Sequence, residues 1–188
     1  RLRPLTNTIP KPMISVGATP FLHHLLDQLS DQGISRFVLL TGYLGGKISE
    51  YFGDGKKWGW QISYSEGPVD WDTGRRLWEA RGELDEKYLL LYSDNFAHFE
   101  FSKLAQLHAR NKSAISLLLK GKDPGNVSVN KSGRLLEYDR TRHGANLDYV
   151  ELGYMIIERD DVFATYAYIE ASPDISFSKV LEKLAGTG

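Results

Sequence analysis

The chain has 188 residues, a formal net charge of −1, and 41% hydrophobic residues. That is enough to build one ordinary domain's core, and too evenly charged to attract nucleic acid or an anionic membrane through a global basic field. It has no cysteine, which excludes a disulfide framework, a thiolate nucleophile and a zinc knuckle and fits a reducing compartment. No apolar stretch approaches the roughly 20 residues of a bilayer-spanning helix, and no signal-peptide core precedes the first strand, so the sequence reads as a soluble, cytoplasmic protein that binds neither membrane nor nucleic acid.

In chain order, Arg1, Arg3 and Lys11 stand in a run, Arg1-Leu-Arg-Pro-Leu-Thr-Asn-Thr-Ile-Pro-Lys-Pro-Met13, whose three prolines deny it a helix or a central strand and leave its cations on extended backbone. On these residues alone the run is either a phosphate grip or a solvated basic segment. Met13 to Val16 reads as a short strand. Thr19 then caps a helix with Pro20 at its first position, Phe21, Leu22, Leu25, Leu26 and Leu29 on one face, and Gly33 as its stop. Residues 36–41 form a continuous apolar run of the kind buried in a parallel sheet. Leu44 to Phe52 reads as a helix closed by Gly53-Asp-Gly55, residues 60–65 as a strand, Asp72 to Arg81 as a helix, and residues 87–93 as a second buried strand. A helix over 102–111 and strands over 114–119, 126–130, 134–138 and 149–157 follow, with Lys131-Ser-Gly133 as a hairpin turn. Asp160 and Asp161 suit the first turn of another helix.

This alternation predicts an α/β fold of Rossmann-like kind, three layers deep, with a mixed, mostly parallel central sheet. Ligands then gather at strand carboxyl ends, where the sequence puts Thr41-Gly42-Tyr43, Ser65-Glu66-Gly67 and Ser93-Asp94-Asn95. Asp94 can cap the next element or hold a metal. Glu66-Gly-Pro-Val-Asp-Trp-Asp-Thr-Gly74 can be a tryptophan-anchored helix start with Asp72 or Thr73 as cap, or a turn whose Gly74 leaves backbone groups open to a ligand. Arg140 reads equally as a phosphate ligand or as solvated hairpin charge. Glu151 is a polar residue in an apolar strand, and such residues have partners. The five histidines do not cluster in sequence, and His23-His24 lie off the apolar face of their helix, which argues against zinc or a serine triad.

These motifs, in this order, resemble the sugar-1-phosphate nucleotidyltransferases, the NDP-sugar pyrophosphorylases. Arg1-Leu-Arg-Pro-Leu-Thr and Pro10-Lys-Pro12 resemble the second half of that family's signature loop, Thr73-Gly74 its T-A-G turn, and the strand ending in Asp94 its G-D strand, with Ser93 in place of glycine. Gly125-Asn-Val127 and Gly133 to Arg140 resemble its G-x-V and G-R-V-x-x-F-x-E-K stretches, Val150 to Tyr154 its N-x-G-x-Y strand with Glu151 for asparagine, and Asp174 before Phe177 a structural stretch.

The resemblance implies a GT-A-like fold and the reaction NTP + sugar 1-phosphate → NDP-sugar + pyrophosphate, with Mg²⁺ as cofactor, in bacterial surface-glycan synthesis. It implies catalytic roles for Arg1, Lys11 and Asp94, with Asp94 holding the metal, and nucleotide binding by Arg3, Glu66, Thr73 and Gly74. Gly125, Arg140, Glu151 and Gly153 would meet the sugar phosphate, and Tyr138-Asp-Arg140 resembles the heptose-1-phosphate guanylyltransferase branch. The chain is read as one nucleotidyltransferase domain over residues 1–188, without its first strand and glycine-rich loop and without its C-terminal end; it is a candidate homo-oligomer. Two other classes stay open: a silent nucleotide-sugar-binding regulator, and a GT-A-like glycosyltransferase, against which Asn95-Phe96 after Asp94 leaves no D-x-D.

Overall fold

The computed structural model describes residues 2, 4–144, 146–166 and 176–185; Asp174 lies outside them. The chain divides into two units, Arg1–Trp71 with Tyr92–Ser102, and Asp72–Leu91 with Lys103–Gly188.

In the first unit the proline-rich run folds as two 3₁₀ turns, Leu5–Asn7 and Lys11–Met13. The second turn replaces the start of the strand expected from Met13, because Pro10 and Pro12 fix φ at values a turn accepts. The strand that remains, β1 (Ser15–Val16), forms a small antiparallel hairpin with β2 (Thr19–Pro20) about Gly17, whose φ is +65°. Helix α1 (Phe21–Ser30) therefore starts one residue later than expected, with Pro20 at its N-cap. The Thr19 hydroxyl lies 2.9 Å from His24 Nε2 instead of capping the helix. Leu22, Leu25, Leu26 and Leu29 are its buried face. Its end matches the expected glycine stop: Gly33 takes φ +86°, and the Ile34 N–H reaches back to the Leu29 carbonyl at 3.1 Å.

Strand β3 (Arg36–Thr41) pairs in parallel with β4 (Gln61–Glu66), from Arg36 opposite Gln61 to Thr41 opposite Glu66. Helix α2 (Gly45–Phe52) supplies the crossover such a parallel pair requires. Behind it, Tyr51, Phe52, Trp58 and Trp60 form an aromatic cluster that takes in His23, whose ring lies 5.0 Å from Trp58 and 5.2 Å from Trp60. His23 thus belongs to the core and not to the polar side of α1, because the loop returning from α2 covers that side with tryptophan.

The second unit comprises α3 (Thr73–Glu79), β5 (Lys87–Leu91), most of α4 (Phe101–Asn111), β6 (Ile115–Gly121), β7 (Val127–Val129), β8 (Leu135–Tyr138), β9 (Tyr149–Glu158), α5 (Arg159–Tyr166) and α6 (Phe177–Ala185). Strand β9 is its axis. It pairs antiparallel with β6 along one side and with β5 and then β7 along the other, while β8 continues from β7. Tyr154, Met155, Ile156 and Ile157 are correspondingly buried in an unbroken row. Among the described residues the parallel pairing is that of β3 with β4, a two-stranded sheet of the first unit, whereas every pairing within the five-stranded sheet of the second unit is antiparallel. Helix α4 is anchored by His108, 1% exposed, whose ring nitrogens lie 2.9 Å from Ser116 Oγ and 3.0 Å from Glu158 Oε1. Lys87 adds an ion pair to Glu158 at 2.7 Å. Among the described residues no helix is long and apolar enough to cross a membrane.

Candidate active site

The proline turn and the end of the Asp94 strand meet in the first unit. Lys11, in the turn Lys11–Met13, holds its Nζ 3.8 Å from Asp94 Oδ2, and both side chains are 57% exposed. A pair so open to water adds little stability. What it does is set a cation and a carboxylate side by side where a polyanion and its counter-ion can reach them. The loop ahead of Lys11 is tied to the turn after β3, where the exposed Tyr43 hydroxyl donates to the Asn7 carbonyl at 2.9 Å. Arg1 and Arg3 lie outside the described residues.

Two glycines let the neighbouring turns close up. A Cβ on Gly45 would stand 3.0 Å from the Thr41 Cβ, so a side chain there would push Thr41 aside by a few tenths of an ångström where α2 starts behind β3. Glu66, exposed at the end of β4, faces this corner, its Oε1 3.9 Å from that same point. The Gly67 N–H donates to the Thr41 carbonyl at 3.0 Å, and the Trp71 ring packs against Gly67 so closely that a Cβ there would come within 2.3 Å of it. Trp71 is therefore the anchor of its own loop.

Thr73 and Gly74 open α3 in the second unit. Asp72 is the N-cap, accepting from the Thr73 N–H, which leaves Thr73 Oγ1 to accept from the Phe177 N–H at 3.3 Å. The buried Gly74 offers its carbonyl to the Tyr166 hydroxyl at 3.2 Å. Gly125, Glu151 and Gly153 meet on β9 and its edge. The Gly125 N–H donates to the Leu147 carbonyl at 2.7 Å, and a Cβ on it would come within 2.1 Å of the Tyr149 carbonyl oxygen. Gly153 takes φ +78°, the left-handed region, at an irregularity that matches a register shift in the ladder to β6 between Leu117 and Leu119. Its N–H is turned onto the carboxylate of Glu151. Glu151 is 9% exposed, and burial raises its pKa although that N–H favours the charged form.

Arg140 is exposed, on the loop after β8. Its neighbour Asp139 is fully engaged in shaping that loop, accepting from the Thr141 hydroxyl and N–H and from the His143 and Gly144 N–H groups, which hold its carboxyl far below the usual range. Of the pair Asp139-Arg140, Arg140 alone is left for a ligand. Lys11, Glu66 and Asp94 thus belong to one unit, and Thr73, Gly74, Gly125, Arg140, Glu151 and Gly153 to the other.

Both Lys11 and Asp94 lie within residues 1–128, which match the nucleotidyl transferase family. The chain belongs to the nucleotidyl transferase family. A mannose-1-phosphate guanylyltransferase of Mycobacterium tuberculosis is 29% identical over 165 residues, covering 85% of this chain and 46% of that protein. A D-glycero-alpha-D-manno-heptose 1-phosphate guanylyltransferase of Aneurinibacillus thermoaerophilus is 32% identical over 121 residues, covering 64% and 52%. The chain spans about half the length of the curated relatives it matches. Among solved structures, HddC from Yersinia pseudotuberculosis has a TM-score of 0.77 at 17% identity over 95% of this chain and 78% of its own. The inositol-1-phosphate CTP transferase of T. maritima has 0.78 at 22% over 100% and 77%. These two likenesses establish the Rossmann-like α/β fold of a nucleotidyl transferase.

The donor set of this nucleotidyl transferase chain also bears on the metal. Among the described residues no three histidines or carboxylates come together as an all-protein cage. An exposed single carboxylate such as Asp94 suits Mg²⁺, which keeps its waters and takes one or two carboxylates along with substrate phosphates. The sequence passed over Asn126, whose side chain touches β9; its one signal was a polar residue at the mouth of an apolar strand.

Proposed function

We propose that the protein transfers a nucleotidyl group, forming an NDP-sugar and pyrophosphate from a nucleoside triphosphate and a sugar 1-phosphate, as a cytoplasmic step in surface-glycan precursor synthesis. The observation that supports this most is the approach of Lys11 to Asp94 within a matched nucleotidyl transferase region. The sugar phosphate oxygen attacks the α-phosphorus in line with departing pyrophosphate, a step that needs alignment and charge neutralisation more than proton transfer. Lys11 lies between the α-phosphate and the incoming phosphate and offsets the charge that gathers there. Arg1 and Arg3 serve the pyrophosphate side. Asp94 would hold Mg²⁺, which when bound would neutralise phosphate charge. Nucleotide binding is assigned to Glu66, Thr73 and Gly74, and sugar-phosphate binding to Gly125, Arg140, Glu151 and Gly153, with Arg140 for the phosphate and Glu151 as acceptor for sugar hydroxyls. Among sugar phosphates, mannose, glucose and heptose 1-phosphates all belong in the panel to be screened, since relatives named for each are 29%, 32% and 32% identical to this chain.

Coupled pyrophosphate release by the protein, with a panel of triphosphates and sugar 1-phosphates, tests the proposal. Lys11→Ala and Asp94→Ala should each lower kcat about a hundred-fold while KM changes much less, since both groups act chiefly in the transition state. Wild-type rates in both variants would sink the assignment. No pyrophosphate from any triphosphate, together with nucleoside diphosphate released from an NDP-sugar only when a sugar acceptor is added, would make the protein a glycosyltransferase.

A further inference from the structure

Strand β7 is poorly attached to β9 by its own ladder. One residue pair, Val127 opposite Tyr149, is the whole of their register. The attachment is completed just before β7, and most of it passes through Asn126. Its N–H donates to the Tyr149 carbonyl at 2.7 Å, its carbonyl accepts from the Asp139 N–H at 2.9 Å, and its side-chain Oδ1 accepts from the Glu151 N–H at 3.0 Å. The residue is 7% exposed. A buried asparagine that satisfies backbone groups of two other segments costs its own desolvation and is retained where geometry matters.

The two segments it joins are those that carry Glu151 and Arg140. Glu151 is held directly, through its N–H. Arg140 follows Asp139, whose N–H is held by the Asn126 carbonyl and whose carboxylate shapes the loop beyond. Where β9 runs past its single pairing with β7, an amide oxygen stands in for the strand carbonyl that the Glu151 N–H would otherwise meet. The side chain thus fixes the rotation of the Glu151 peptide about the strand, and with it the direction of the carboxylate that turns onto Gly153.

We infer that Asn126 is a positioning residue for the sugar 1-phosphate: it sets Glu151 and the Arg140 loop in one register and touches no substrate itself. The inference rests on the reading of Glu151 and Arg140 as sugar-phosphate residues. It predicts an effect on one substrate alone, which loss of a purely structural hydrogen bond does not.

The test is steady-state kinetics of the protein with each substrate varied in turn, on Asn126→Leu, which keeps the bulk and removes the acceptor, and Asn126→Asp, which keeps an oxygen facing the Glu151 N–H. Asn126→Leu should raise KM for the sugar 1-phosphate about ten-fold and leave KM for the triphosphate within about two-fold. Asn126→Asp should recover most of the loss. If the leucine variant does not fold, Asn126→Ser, which shortens the acceptor out of reach, gives the same comparison. Equal shifts in both KM values, or none, in an active enzyme overturn the role of Asn126 while leaving the proposed reaction standing. A wild-type protein without turnover on any sugar 1-phosphate overturns both.

Discussion

Glu151 combines two demands that pull against each other, and the conflict is measurable at the level of one residue. Burial raises its pKa above the usual 4.5, and the Gly153 N–H opposes that only in part. A carboxyl whose folded pKa is raised lends its full stability below the unfolded value, and that contribution is lost as pH rises through the folded value. Above the unfolded value Glu151 therefore costs the fold something that a side chain without a titrating proton does not. Glu151→Gln keeps an oxygen for the Gly153 N–H and removes the charge. Its urea midpoint should exceed that of the wild type near neutral pH and converge on it below about pH 4. The same variant should bind sugar 1-phosphate less well, because a carboxylate is the stronger acceptor for hydroxyls. A gain of the same size at both pH values would mean that packing, and not charge, explains it.

Among the elements, β7 and the aromatic cluster behind α2 show how backbone fit and burial decide stability. Gly125 lies against β9 so closely that Gly125→Ala forces a methyl onto the Tyr149 and Leu147 carbonyl oxygens, 2.1 and 2.5 Å from the new carbon. Backbone cannot yield there without breaking the bonds that Gly125 and Asn126 make, and a loss of about 2 kcal/mol or more in chemical denaturation is expected. In the cluster, His23 has a buried Nδ1 with no hydrogen-bond partner, and burial, opposed by Asp27 and reinforced by His24 and Lys57, lowers its pKa from the usual 6.5. A base with a lowered folded pKa takes up its proton at lower pH than the unfolded chain does, so its contribution is present above about pH 6.5 and lost as pH falls through the folded value. His23→Phe should flatten the acid side of the stability profile; an unchanged slope would place the titrating group elsewhere. Neither feature could be read from the sequence. The long elements could, because apolar runs such as residues 36–41 and helical spacing such as Leu22 to Leu29 carry their own period. The hairpin of β1 and β2, the proline turn at Lys11 and the left-handed Gly153 depend on two or three residues each. Contacts with residues distant in sequence fix them, and no local period announces them.

At the scale of the whole chain, the order of motifs was legible and their grouping was not: the residues proposed for the nucleotide fall in both units, Glu66 in one and Thr73 with Gly74 in the other. Ligand-linked stability tests that reading without assuming how the units are arranged, since anything that binds the folded chain and not the unfolded one raises its melting temperature. A triphosphate with Mg²⁺ at about a hundred times its dissociation constant should stabilise by about 2.7 kcal/mol. For a chain of this size that corresponds to a rise of about 5–10 °C. Chelating the Mg²⁺ should remove most of the rise, because Lys11 is then left to offset the phosphate charge without the ion. Asp94→Asn should make the rise the same with and without Mg²⁺, since it removes the carboxylate proposed to hold the ion and spares the lysine. A melting temperature indifferent to nucleotide and Mg²⁺ together would remove the proposed substrate. A rise that persists in full after chelation would separate nucleotide binding from the metal and leave Asp94 as the structural partner of Lys11.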